Sequence, residues 1–123
     1  MIFDFLFPNR CLDCNQLIDK QDVVSELCLD KINFSNHNYF GNNSLMDKAS
    51  LQIPVENAYS LLFYEKESLA QRIIHQLKYN HREKIGKVLA KWITERINFR
   101  DNKPDLLITV PLHYKKLKQR GYN

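Results

Sequence analysis

Apolar residues recur at intervals of three and four in two stretches of the chain. Leu69, Ile73, Ile74 and Leu77 fall at helical spacing with Arg72, Gln76 and Lys78 between them. That pattern predicts an amphipathic helix to about Tyr79, closed by Asn80. Ser68 and Gln71 form a capping-box pair at its start, the Ser hydroxyl accepting from the third helical N–H while Gln reaches back. In the second stretch Ile85, Val88, Leu89, Trp92, Ile93 and Ile97 repeat while Lys84, Lys87, Lys91 and Arg96 take the other faces, which predicts a helix to about Asn98. Trp92 lies on the apolar stripe and reads as core rather than as a stacking platform.

Two runs lack that period. Residues 59–64 (YSLLFY) have strand length and are closed by Glu65, Lys66 and Glu67. Residues 105–110 (DLLITV), stopped by Pro111, form a continuous apolar run of the kind buried on both faces of a parallel sheet. The order strand, helix, helix, strand predicts a right-handed crossover in a parallel α/β sheet. Two strands cannot make a covered sheet, so the chain is expected to be the truncated front part of a larger α/β domain. Residues 35–50 are rich in Asn, Ser and Gly and read as loop. The expected organisation is a cysteine-containing, zinc-ribbon-like segment over 1–34, a linker over 35–56, and the first part of an α/β domain over 57–123.

The chain has 123 residues, 44% hydrophobic and 26% charged, an ordinary globular balance. The apolar opening 1–7 is interrupted by Asp4 and has no preceding positive residue, so neither a signal peptide nor membrane insertion is expected. Three cysteines, an odd number, argue against a secreted disulfide framework and for thiols or metal ligands in a reducing compartment, by default the cytoplasm. The net charge of +4 resides in the last eleven residues, where Lys115, Lys116, Lys118 and Arg120 have no acidic neighbour. This is a local positive field suited to phosphate or nucleic acid. It follows the apolar run 105–110, and ligands of open α/β sheets sit beyond the carboxyl ends of strands. The lysines would neutralise phosphate and Arg120 could grip it with paired N–H donors. A solvated charged face is the bland alternative.

Cys11 and Cys14 form a CxxC, and Cys28 follows after thirteen residues, a spacing that fits a zinc ribbon and the start of its second knuckle. A second CxxC would end at position 31, occupied by Lys31, and a protonated lysine cannot ligate a cation. His37 is the nearest substitute, and Asp30 lies too close to Cys28 to reach the metal easily. The competing reading is that the cysteines hold no metal and pack as small apolar groups with Phe3, Phe5 and Phe7. No strand leads into a helix at the CxxC, which leaves a thioredoxin-type redox role little support. The three glycines are too dispersed for a phosphate loop, excluding nucleotide triphosphatase and dinucleotide motifs. No Ser/His/Asp set or carboxylate pair has local support, and His75 and His81 do not share a helical face.

The segments FLFPNRCLDC, ELCLDK, SLAQRIIHQLKYN, KIGKVLAKW and DLLITVPLHYKKLKQRGYN together resemble the ComF family of phosphoribosyltransferase-like proteins, over nearly the whole chain. The most specific parts are Leu77-Lys78-Tyr79, Val110-Pro111-Leu112 and Arg120-Gly121-Tyr122-Asn123. The resemblance implies a four-cysteine zinc ribbon before a type I phosphoribosyltransferase fold, a parallel sheet that binds phosphoribosyl pyrophosphate and Mg²⁺ when the full-length domain is present. It also implies an association with natural competence, through single-stranded DNA or the proteins of DNA uptake. Cys11, Cys14 and Cys28 match three family cysteines, and Lys31 departs from the fourth. Residues 110–123 match a basic loop beside the substrate pyrophosphate, which, with Lys78 of the Leu77-Lys78-Tyr79 motif, makes Lys78, Lys115, Lys116, Arg120, Gly121 and Asn123 the candidates for phosphate or partner contact. The family's Asp-Asp-Thr-Thr-Gly loop has no counterpart, so this chain is expected not to catalyse alone. Two further expectations stand beside this one: a non-enzymatic binding module for nucleic acid or a competence partner, and a remnant without function.

Overall fold

The computed structural model describes residues 2–99 and 103–123. Among the described residues six helices follow one another: α1 (Ile2–Leu6), α2 (Glu26–Leu29), α3 (Ser44–Ser50), α4 (Leu69–Tyr79), α5 (Lys84–Arg96) and α6 (Tyr114–Arg120). The two helices expected from periodicity are α4 and α5. Ser68 caps α4 through its hydroxyl, which accepts from the Gln71 N–H at 3.2 Å, and Gln71 Oε1 accepts from the Glu67 N–H at 2.6 Å. The capping box therefore closes one residue further out than Ser68 itself. Ile73 and Ile85, on the facing stripes of α4 and α5, are 0% and 1% exposed.

The parallel sheet is corrected by the structure: among the described residues there is no β-ladder, only two isolated antiparallel bridges, Arg10 with Leu17 and Phe34 with Leu62. The expected strand over 59–64 exchanges two backbone bonds with 33–35, Ser35 N–H to Leu61 O at 3.0 Å and Phe63 N–H to Asn33 O at 2.9 Å. Its partner is thus an antiparallel neighbour from before the linker, not residues 105–110. The run 105–110 takes no regular secondary structure and pairs with no strand, and Leu107 and Ile108 are 84% and 82% exposed. Continuous apolar character marks a segment suited to burial on both faces, but a strand exists only where a neighbour supplies N–H and C=O partners. No neighbour does so among the described residues. The α/β assignment to the front part of a phosphoribosyltransferase sheet falls with it.

Residues 35–56 are not wholly loop. Asn43 Oδ1 accepts from the N–H groups of Leu45 and Met46 at 3.1 and 2.9 Å, and this side-chain cap starts the seven-residue α3.

One core joins the cysteine segment to the helix pair. Cys11, Val23, Val24, Cys28 and Ile32 are buried with Leu69, Ile73, Ile85, Val88 and Trp92. Phe34 meets Trp92 edge to face at 5.5 Å, and the Arg96 guanidinium lies 3.7 Å from the centre of the Phe34 ring. Cys11 and Cys28 therefore pack with α4 and α5, whereas Phe3, Phe5 and Phe7 are exposed. Outside that core much apolar surface is uncovered: the chain exposes 10098 Å², where a compact monomer of its 14.6 kDa mass would expose about 6,900 Å². No helix among the described residues is long and apolar enough to cross a membrane.

Candidate metal centre and basic pocket

Cys11, Cys14 and Cys28 converge, with their sulfurs all within 4.8 Å of one another. The first two sit on a tight turn. The Asn15 N–H donates to the Cys11 carbonyl at 3.2 Å, Asn15 takes a left-handed φ of 61°, and the Asp13 N–H points at Cys11 Sγ at 3.4 Å. Asn is one of the few side chains that tolerates that backbone region. Cys28 comes from the short α2 and is buried against the core. Zinc–thiolate bonds of about 2.3 Å in a tetrahedron place sulfurs roughly 3.8 Å apart, so these three need only a small contraction to share one ion.

The thiols differ in protonation. Burial pushes the Cys11 thiol up, but the backbone N–H groups of Ser25, Asp13 and Cys14 outweigh it and bring it down to about 6. The shift favours the Cys11 thiolate, the form that binds metals. At Cys28 the Ser25 hydroxyl favours the thiolate, but burial and the adjoining Cys14, Asp13 and Cys11 groups together push the thiol up. The Cys28 thiol donates to Asp13 Oδ2 at 3.3 Å.

Lys31, at the expected position of a fourth cysteine, turns to Asp13 instead, with Nζ 2.7 Å from Oδ2. Arg72 of α4 reaches the other carboxylate oxygen at 2.5 Å. Lys31, Arg72 and the Cys28 thiol hold the Asp13 carboxyl well below the usual carboxylate range. Asp13 thus fastens the first cysteine turn to α4, a role that sequence reasoning missed. His37, the expected substitute ligand, lies apart from the thiols: its ring packs edge to face on Phe63 at 5.6 Å and its Nδ1 is 3.3 Å from Ser60 Oγ. Asp30 forms the C-terminal cap of α2 and is also outside the cluster. Ser25 is the second residue missed. Its Oγ lies 3.3 Å from Cys14 Sγ, and the spacing Ser25-x-x-Cys28 repeats that of Cys11-x-x-Cys14, which was the available signal.

The basic residues divide. Lys78, at the end of α4, and Lys116 and Arg120, on α6, line one cavity of about 200 Å³ with Tyr79, His81 and Gln119. Two contacts bring α6 to α4: the Tyr122 hydroxyl donates to the Leu77 carbonyl, and His81 Nδ1 lies 3.0 Å from the Arg120 carbonyl. Lys115 is exposed and does not line the cavity. Gly121 ends α6 with φ 84°, its N–H donating to the Leu117 carbonyl at 2.7 Å, a turn that favours glycine. Asn123 Nδ2 donates to the Val110 carbonyl at 3.2 Å and lies 3.3 Å from Thr109 Oγ1, tying the residues after α6 to the end of the apolar run. A comparison of the chain with protein-family models, curated proteins and solved structures finds no match to any of them.

Proposed function

We propose that this chain is a non-enzymatic, ComF-like binding module for single-stranded DNA, in which a zinc ion holds the cysteine segment and the basic pocket takes backbone phosphate. The observation that carries the reading is the convergence of Lys78, Lys116 and Arg120, from two distant segments, on one cavity. Three cations around a small recess neutralise phosphate charge, and the guanidinium adds directional donors. The Tyr79 ring, exposed at the same recess and 4.7 Å from His75, offers a face on which an unpaired base can stack. That aromatic surface favours a single strand over free phosphate. Three unpaired thiols with metal-ligand spacing suit a reducing, cytoplasmic setting. Magnesium and phosphoribosyl pyrophosphate rested on the parallel sheet, and no role is assigned to them.

The test is fluorescence anisotropy of a labelled oligothymidine titrated with the zinc-loaded protein across salt concentrations. Three phosphate contacts give a slope of log affinity against log salt of roughly −2. Lys78→Ala with Arg120→Ala brings the slope to about −0.7. A slope near zero, or one unmoved by the double variant, refutes the reading.

A further inference from the structure

The cysteine cluster supplies three donors, and a closed tetrahedral site needs a fourth. Lys31 is engaged with Asp13, and His37 with Phe63 and Ser60. Ser25 behaves differently from both. It occupies the N-cap position of α2 with extended backbone, φ −70° and ψ 160°, where a serine hydroxyl ordinarily bonds the first turn. Here the side chain makes no capping bond. Its Oγ instead turns to the thiol cluster, 3.3 Å from Cys14 Sγ. Ser25 and Cys28 are held together by the Cys28 N–H, which donates to the Ser25 carbonyl at 3.0 Å. The second knuckle thus runs upstream of Cys28, from Ser25 to Cys28, and not downstream to Lys31.

We infer that Ser25 stands at the fourth corner of the metal site, so that zinc is held firmly by three thiolates and capped only by a hydroxyl, or by a water that this hydroxyl orients. This rests on the zinc reading of the cluster and adds which corner is weak. A neutral oxygen is a poorer partner than thiolate for a borderline-soft ion, so the fourth position is exchangeable. Cys14 is exposed, and solvent reaches the cluster on that side.

The experiment is metal titration of the purified chain, with Zn²⁺ against a chromophoric chelator and Co²⁺ by visible absorption, for the wild type, Ser25→Cys and Lys31→Cys. Ser25→Cys is expected to tighten Zn²⁺ on the order of tenfold or more and to give the absorption of a tetrathiolate Co²⁺ site. Lys31→Cys is expected to leave affinity within about threefold, because its side chain leads to Asp13. Added 2-mercaptoethanol should change the Co²⁺ spectrum of the wild type and leave that of Ser25→Cys unchanged. Tightening in Lys31→Cys but not in Ser25→Cys overturns the assignment while leaving the zinc reading intact. Binding by Ser25→Cys alone upholds the corner and refutes natural zinc binding. Binding by none of the three overturns both.

Discussion

Ile73→Ala tests whether the cysteine segment and the helix pair are one cooperative body. The Ile73 side chain is fully enclosed on α4, in the same core cluster as Cys11, Cys28, Ile85 and Trp92. The substitution removes three carbons from a fully buried site in a cluster shared by α4, α5 and the cysteine segment. A loss of about 3 kcal/mol follows, within the 2–5 kcal/mol range for such truncations. Against a stability of roughly 5–15 kcal/mol, that is a large share of the total. The assay is urea unfolding read by two probes: fluorescence of Trp92, the single tryptophan, and reaction of the buried Cys11 and Cys28 with a thiol reagent. The midpoint should fall for both probes together, with an unchanged urea dependence. A loss below about 1 kcal/mol, or a thiol transition that stays in place while the tryptophan transition moves, would refute the shared core.

Two other consequences follow. The Asp13 carboxyl is depressed by Lys31 and Arg72, so its contribution to stability is present above the unfolded carboxylate value and is lost as pH falls towards the folded one. Asp13→Asn should therefore lower stability at pH 7 and flatten its decline below about pH 4, checked by thermal melts across pH. Ser68→Ala deletes the cap of α4 and should cost about 1 kcal/mol in urea unfolding, whereas equal stability would mean that the hydroxyl bond to Gln71 contributes nothing.

The helices α4 and α5 were legible because their signals are local. An apolar stripe at helical period and a capping pair operate within one segment and need no distant partner. The cysteine cluster was legible for a related reason, since CxxC spacing fixes two donors on one turn and leaves a single distant residue to find. Sheet partners are not local. Residues 105–110 have the composition of a buried strand, yet composition does not state which neighbour supplies the hydrogen bonds, and residues 59–64 found theirs in 33–35. Asn43 shows the same limit in a loop, because an Asn that reads as a turn residue also caps α3 once its carbonyl oxygen meets two free N–H groups. Downstream of Cys28 neither Lys31 nor His37 joins the thiols. Upstream, the Ser25-x-x-Cys28 spacing is the one sequence signal, and the structure adds the turn of the Ser25 side chain away from α2 towards Cys14. In the basic run, charge alone could not separate Lys116 and Arg120, which face Lys78 across one recess, from Lys115, which faces solvent.

Zinc binding by the three cysteines, as proposed, should stabilise the whole core. Its most direct test is thermal unfolding followed by Trp92, which lies on α5 and is no part of the thiol cluster, with and without Zn²⁺ at a hundred times its dissociation constant. Binding to the folded state alone supplies about 2.7 kcal/mol there, and for a chain of this length that raises the midpoint by about 10 °C. Cys11→Ser should abolish the shift. A Trp92 transition that stays in place when zinc is added would contradict the claim.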